Sequence, residues 1–364
     1  MLHWDKSSLR SFDWVLFISA LFLIALGLAA IYSVDLSRGG ELVYFRKQVI
    51  ALGIGLVFFA AASLSQRAFF ASGARLAYWL SAGLLVSVLF LGQTIRGTTG
   101  WFAWGGFSFQ PVEAAKIGLI LMLAYVVASF GRKFERPGFF FGTGALTFFL
   151  MGLVMLQPDL GSAVLLGMIW FGIMLMVGVR TRYIAGLVVL GLAVAVFAWF
   201  FLLKDYQKNR LTTFIYPNRD ALGSGYNVTQ STIAVGSGQW LGRGLGFGSQ
   251  SQLRFLPEAQ TDFVFSVIAE ELGFAGAAVL VVLFAIMIWR LTLIIKSAPD
   301  DFAAVAVGGI ATLFFSQFFI NIGANVGMLP VTGVTLPFVS YGGSSLIINL
   351  FLLGIAQSMV ERKY

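Results

Sequence analysis

The sequence predicts an all-α polytopic membrane protein with about ten transmembrane helices and a large extracytoplasmic loop between the seventh and eighth of them. Three observations lead to this fold class. First, 59% of the 364 residues are hydrophobic and only 11% are charged, roughly half the charge of a soluble domain. Second, apolar stretches of about 20 residues, the length that a helix needs to cross a bilayer, recur along the chain. Third, basic residues concentrate in alternate connections between these stretches.

The predicted spans are apolar runs separated by short connections and by three longer loops. They cover 14–33, 46–64, 73–92, 111–130, 139–157, 160–178, 183–203, 262–295, 303–325 and 343–360. The first run is about 20 residues long, whereas the apolar part of a signal peptide has roughly 7–15. We interpret it as a membrane helix. The chain 1–364 is then one membrane domain, with seven helices in 1–203, the large loop at 204–261 and three helices in 262–364.

The distribution of basic residues predicts the orientation of these helices. Alternate connections, on the side of the N terminus, carry Arg67, Arg75, Arg132, Lys133, Arg136, Arg180, Arg182, Arg362 and Lys363. The turn at 158–159 and the loop at 326–342 carry none. Because cytoplasmic connections are enriched in Lys and Arg, both termini are predicted to be cytoplasmic. The same topology explains the net charge of +8 without nucleic-acid binding, since no basic run exceeds two residues.

Three loops on the predicted extracytoplasmic side are too long or too distinctive to be simple turns. They span 93–110, 204–261 and 326–342, and we expect function to reside there. The chain has no cysteine, and its one histidine is His3. This composition excludes disulfides, thiolate metal sites and imidazole acid–base chemistry. Carboxylates, hydroxyls and cationic side chains are left as the chemically active groups.

Asp262 is the first candidate catalytic residue, because ionisable groups at membrane depth are costly and mark functional sites. It opens the eighth predicted span, after the run Pro257–Thr261. One interpretation is that Asp262 caps this helix and complements its dipole. The other is that it is a general base at the boundary between water and lipid. The sequence leaves both open.

Cationic residues form the second group of candidates. Glu113 and Lys116 are three residues apart after Pro111, so they either pair on one helix face or leave the lysine to contact a phosphate. The 204–261 loop contains Lys204, Lys208, Arg210, Arg219, Arg243 and Arg254. These are either solvated loop charges or the binding surface for an anionic ligand such as a lipid diphosphate. The glycine-rich run at 242–248 lacks the βαβ context of a dinucleotide site and predicts a hinge or a backbone anion nest.

Five sequence blocks together resemble one family, the SEDS proteins (shape, elongation, division and sporulation), which polymerise peptidoglycan. The blocks are Trp101 with 110–116 (QPVEAAK), 157–161 (QPDLG), 225–231 (GYNVTQS), 256–263 (LPEAQTDF) and 336–345 (LPFVSYGGSS). The start of the third block (Gly225–Asn227) and 249–253 (SQSQL) are most like the elongation branch, RodA. The residues at 336–338 (LPF) are closer to those of the division branch, FtsW.

The resemblance implies a glycosyltransferase of the bacterial inner membrane, with its active site on the extracytoplasmic side and lipid II as substrate. It implies Asp262 as the general base, and a substrate-binding set of Trp101, Glu113, Lys116, Arg210, Arg243, Glu258, Gln260 and Ser340. A divalent cation (Mg²⁺ or Mn²⁺) and a class B penicillin-binding protein are the implied cofactor and partner, together with membrane lipid.

Two departures from the family pattern concern this site. Thr99 and Gly100 precede Trp101 where the family has basic residues, which leaves Arg96 as a substitute, and Gln260 stands where the family has histidine. Two other functions are weighed against polymerisation: a lipid II flippase and a non-catalytic scaffold for the penicillin-binding protein. A flippase needs polar residues through the membrane midplane, whereas Gln317, Asn321 and Asn325 lie toward the outer end of the ninth span.

Overall fold

A computed structural model of the chain describes residues 12–39, 41–95, 98–104, 107–131, 134, 136–201, 208 and 224–360. Each predicted span coincides with a helix. The spans are α1 (Trp14–Leu36), α2 (Val43–Leu64), α3 (Arg67–Leu91), α4 (Pro111–Phe130), α5 (Pro137–Met155), α6 (Leu160–Val177), α7 (Thr181–Phe201), α10 (Val264–Lys296), α11 (Asp301–Asn325) and α12 (Gly343–Ser358). Eight of these, within the described residues, are long and apolar enough to cross a membrane, and α12 is a shorter apolar helix. The predicted polytopic membrane fold is confirmed.

Two of the long loops contain structure that the sequence did not predict. The 93–110 loop is a small antiparallel sheet of β1 (Gln93–Ile95), β2 (Thr98–Trp104) and β3 (Phe107–Phe109), in the order β1-β2-β3. The described part of the large loop contains α8 (Ser224–Ser237) and the short α9 (Ser249–Gln252). The sheet connects the end of α3 to the start of α4. Within it, Trp101 of β2 pairs with Gln93 of β1.

The core of the helix set is built around α4 and α11, in which 67% of the apolar window is buried. Small residues allow the close approaches, as expected where helices pack without a hydrophobic driving force. At Gly309, an added Cβ would lie 3.1 Å from the Ile120 side chain. At Gly354, it would lie 2.5 Å from the carbonyl oxygen of Phe59. These contacts bring α11 against α4 and α12 against α2.

The eighth span, α10, is interrupted at Gly273, which has φ 66° and ψ −165°. At 33 residues a straight helix would be about 50 Å long, well beyond the roughly 30 Å hydrocarbon core. The part before the break lies over the ends of two other spans: Glu271 accepts a hydrogen bond from Ser33 of α1, and Ser266 bonds to Asn325 of α11.

The glycine-rich run covers this break. The backbone N–H groups of Arg243 and Gly244 donate to the carbonyls of Glu270 and Glu271, at 3.1 and 2.9 Å. In return Phe274 N–H donates to the carbonyl of Gln239, at 2.8 Å. Main-chain groups freed by a helix break at membrane depth need such partners. At Gly242 (φ +79°), a Cβ would lie 2.1 Å from the carbonyl oxygen of Glu271. The hypothesis of an anion nest is wrong for Arg243 and Gly244, because helix carbonyls occupy their amides.

Candidate active site

Asp262 lies at the end of the helix set where α1 and α11 end and α4 begins. We call this the Asp262 end, and residues 256–262 the Asp262 segment. The N-cap residue of α10 is Phe263, whose side chain makes no capping hydrogen bond. Asp262 therefore lies one residue before the N-cap of α10, and both interpretations of its side chain stay predictions. Its side chain is half-buried.

The main chain of the Asp262 segment is held at three successive carbonyls. The carbonyl oxygen of Gln260 accepts from the backbone N–H of Tyr341 at 2.8 Å, and that of Thr261 accepts from Ser340 Oγ at 2.6 Å. The carbonyl of Asp262 accepts from Asn325 Nδ2 at 2.8 Å and from Asn321 Nδ2 at 3.1 Å. All of these hydrogen bonds are made to main-chain carbonyls. They fix the position of Asp262, and none of them uses its carboxylate.

The two asparagines of α11 connect Asp262 to the rest of the helix set. Asn325 Oδ1 accepts from the backbone N–H and the hydroxyl of Ser266, at 3.1 and 2.7 Å. Asn321 Nδ2 also donates to the carbonyl of Val334 at 2.9 Å. Both asparagines are buried, so their amides serve as braces for the start of α10. These polar residues are thus fully engaged at the Asp262 end and do not mark a path through the membrane midplane.

Glu113 and Lys116 form the ion pair that their spacing permits, with Lys116 Nζ 2.7 Å from Glu113 Oε2. Their side chains are only 7% and 2% exposed. The lysine charge is therefore sealed inside the helix set in this structure and neutralised by its neighbour. The structure favours the structural interpretation of the pair, while the predicted contact of Lys116 with substrate stays a prediction.

Sequence blocks far apart in the chain meet near this pair. Gln110, which precedes α4, donates from Nε2 to Asp159 Oδ2 at 3.1 Å, and Asp159 caps α6 by accepting from Ser162 N–H. At Gly161, an added Cβ would lie 2.5 Å from the carbonyl oxygen of Thr332. The blocks at 110–116, 157–161 and 326–342 are thus neighbours, and Asn321 connects the last of them to Asp262.

The other predicted site residues have varied environments. Gln260 is buried, and its Nε2 lies 3.5 Å from Glu258 Oε2. Glu258 is half-buried with a left-handed φ of 53°, and Trp101 is half-buried in β2. Arg243 is exposed and donates from Nε to the carbonyl of Ser237 at 3.3 Å.

The last two predicted site residues are Ser340 and Arg210. Ser340 is buried, and besides bonding Thr261 its oxygen accepts from the N–H of Leu336 at 2.9 Å. Arg210 lies outside the described residues.

The sequence did not single out the first connection, between α1 and α2, which the structure brings against the Asp262 segment. A cavity of about 280 Å³ lies there. Its lining residues are Val34, Ser37, Arg38, Ser251, Arg254, Leu256, Pro257, Glu258 and Ala259. The sequence did contain one signal, Arg38. It is a basic residue on the predicted extracytoplasmic side, where Lys and Arg are less frequent.

Among the described residues, no three Asp, Glu or His side chains lie together as a ligand cluster for a divalent cation. Mg²⁺ is often held by one or two carboxylates and by substrate phosphates. The predicted Mg²⁺ or Mn²⁺ therefore stays a prediction, and we assign it no step.

The chain is similar over nearly its whole length to proteins of known class. A family model for the cell cycle proteins FtsW, RodA and SpoVE matches residues 13–364. Escherichia coli K12 MrdB, a peptidoglycan glycosyltransferase, is 37% identical over 359 residues, which cover 98% of this chain and 94% of MrdB. A probable peptidoglycan glycosyltransferase FtsW of Geobacter metallireducens is 39% identical over 285 residues, covering 77% and 74%.

Solved structures share the fold. Thermus thermophilus RodA, a rod shape determining protein, aligns with a TM-score of 0.72 at 31% identity, covering 95% of this chain and 96% of that one. A chain from a peptidoglycan synthase complex, studied for its coordination of polymerisation and crosslinking, aligns with a TM-score of 0.83 at 33% identity, with the same coverage.

These findings define the protein first as a polytopic membrane enzyme, a peptidoglycan glycosyltransferase. The chain belongs to the FtsW, RodA and SpoVE family, the SEDS proteins, and is RodA-like within it.

Proposed function

We propose that this enzyme polymerises lipid II into glycan strands during cell elongation, on the extracytoplasmic face of the bacterial inner membrane. The observation that supports the proposal most directly is the Asp262 segment, which carries Asp262 on a main chain held at three successive carbonyls. A catalytic group needs such preorganisation, because a misplacement of about 1 Å is costly to rate.

In the proposed reaction, the 4-hydroxyl of one disaccharide attacks the anomeric carbon of another lipid-linked disaccharide. Asp262 takes the hydroxyl proton as the new glycosidic bond forms. The bond between the anomeric carbon and the phosphate oxygen breaks with inversion, and undecaprenyl diphosphate leaves. Its developing charge calls for cations near the site, for which Arg210, Arg243 and Lys116 are the proposed groups.

The polymerase is favoured over the two alternative functions by the polar residues of α11. Asn321 and Asn325 brace Asp262 and Ser266, which is the arrangement that a fixed active site needs. A flippase would instead need such residues along a path through the midplane. A scaffold would not need an aspartate whose main chain is held in place. A class B penicillin-binding protein is the proposed partner, supported by the similarity to a chain of a peptidoglycan synthase complex.

The test is the isosteric replacement Asp262→Asn in full-length protein, purified with its partner and supplied with labelled lipid II. We expect strand formation to fall by about 10²- to 10⁴-fold, the usual contribution of a general base, with folding and partner binding unchanged. Asp301→Asn is the matched control, because Asp301 is an exposed carboxylate in the first turn of α11 at the opposite end of the helix set. Polymerisation by Asp262→Asn at the rate of this control would eliminate Asp262 as the base.

A further inference from the structure

The first connection of the chain reaches the Asp262 segment through Arg38, two residues beyond the end of α1. Arg38 Nη2 donates to Gln260 Oε1 at 3.0 Å, and Nη1 donates to the hydroxyl of Tyr44 at 2.8 Å. The guanidinium carbon also lies 4.7 Å from the centre of the Tyr44 ring. Because the arginine fork is planar and rigid, it serves both acceptors in fixed directions. Tyr44 therefore holds Arg38 in the orientation that reaches Gln260.

These contacts form a closed ring of four residues. Tyr44 packs edge-on against Tyr341, with ring centroids 4.8 Å apart and an interplanar angle of 79°. The backbone N–H of Tyr341 donates to the carbonyl of Gln260 at 2.8 Å. Gln260 is thus held at its side chain by Arg38 and at its main chain by Tyr341. We call Arg38, Tyr44, Gln260 and Tyr341 the Arg38 clasp.

The clasp holds the segment that contains Asp262, where small displacements are expected to lower the rate of the proposed reaction. Gln260 is 2% exposed, so the loss of its hydrogen bond from Arg38 removes the charged donor to a buried amide oxygen, and such losses are costly. Asp262 is two residues away along the chain. The side chain of Arg38 itself is exposed, so its removal leaves the apolar core of the helix set intact.

We propose that Arg38 is a positioning residue for glycosyl transfer, which acts through Gln260 to fix the direction of Asp262. The inference rests on the proposed function, in which Asp262 is the base. Arg38 touches neither reacting atom in this role. Its effect falls on the rate of the chemical step and leaves the affinity for lipid II unchanged, because only the alignment of the base with the attacking hydroxyl depends on the clasp.

The experiment compares Arg38→Met with wild type in full-length enzyme bound to its partner, using labelled lipid II at several concentrations. We expect kcat to fall by about threefold to tenfold, the size of the net contribution of one hydrogen bond, with KM unchanged and the enzyme still folded and bound to its partner. Gln260→Leu removes the acceptor and is expected to lower kcat by a similar factor.

A double-mutant cycle tests whether the two residues act together. If they do, Arg38→Met with Gln260→Leu loses no more activity than either single variant. Arg182→Met is the matched control, because Arg182 makes the same kind of contact with a tyrosine at the opposite end of the helix set. Its guanidinium lies 5.0 Å from the centre of the Tyr183 ring, and Nη2 lies 3.2 Å from the Tyr183 hydroxyl.

Three results would overturn the positioning role: Arg38→Met with the kcat of the Arg182→Met control, a raised KM with unchanged kcat, or additive losses in the double variant. Failure of the proposed function is distinguishable. If Asp262→Asn keeps wild-type activity, Asp262 is not the base and the clasp positions nothing catalytic. If Asp262→Asn is inactive and Arg38→Met is not impaired, the positioning role alone is wrong.

Discussion

Asp262 and Lys116 both lie where a long helix begins at the same end of the molecule, yet their environments are opposite. Lys116 is 2% exposed and its charge is paired with Glu113 at 2.7 Å. Asp262 is half-buried, and the braces around it grip its main chain and that of its neighbours. The comparison separates two environments of a charged residue: the charge of Lys116 is neutralised within its own helix, and Asp262 is held through its main chain.

The largest effect on stability is expected from breaking the buried ion pair. Lys116→Met leaves the Glu113 carboxylate buried without its partner, which costs about 3–5 kcal/mol. The combined change Glu113→Gln with Lys116→Met removes both charges and is expected to recover most of that loss. Thermal unfolding in detergent measures both. A single variant as stable as wild type would show that the pair is not structural.

The stable double variant also sharpens the comparison. If it polymerises lipid II like wild type, the pair serves the fold alone. If stability returns and activity does not, the predicted contact of Lys116 with the substrate is supported.

A smaller effect, on both stability and rate, is expected for the brace on Asp262. Asn325→Leu removes the donor to the Asp262 carbonyl and the acceptor of Ser266, at a cost of about 2 kcal/mol, and kcat for polymerisation falls because Asp262 is less well fixed. Ser266→Ala is the matched control, because it removes the hydrogen bond from the Ser266 hydroxyl to Asn325. The hydrogen bond from Asn325 to the Asp262 carbonyl stays in place in this variant. Equal kcat values for the two variants would contradict a positioning role for Asn325.

The smallest effect is expected at Ser340, which holds the carbonyl of Thr261 through Oγ at 2.6 Å. Ser340→Ala removes one of the three successive holds, at a cost of about 1 kcal/mol. We expect a modest fall in kcat with KM for lipid II unchanged. A raised KM with normal kcat would instead support the predicted contact of Ser340 with substrate.

The long helices could be predicted from the sequence because bilayer thickness imposes one length on every span. The short strands within the loop at 93–110 were not predicted, because the sequence there shows no strong period-two alternation of apolar residues. The interruption of α10 was not predicted either. Gly273 is an ordinary residue within an apolar run. Its left-handed conformation becomes meaningful once the glycine-rich run is seen bonded to the broken turn.

The contacts at the candidate site could be predicted from the sequence only in part. The spacing of Glu113 and Lys116 predicted their ion pair, because residues three apart share a helix face. By contrast, hydrogen bonds join Asn321, Asn325 and Arg38 to residues more than 50 positions away in the chain. No local pattern encodes such contacts, since they depend on which helices pack side by side.

The sequence by itself determined the polytopic membrane fold and the positions of its long helices, because hydropathy acts locally along the chain. The tertiary structure alone decided the different environments of Lys116 and Asp262. Lys116 is neutralised within one helix turn, whereas the Asp262 segment is held by groups from α11, the 326–342 loop and the first connection. Only folding brings those three regions together, because they are far apart in the chain.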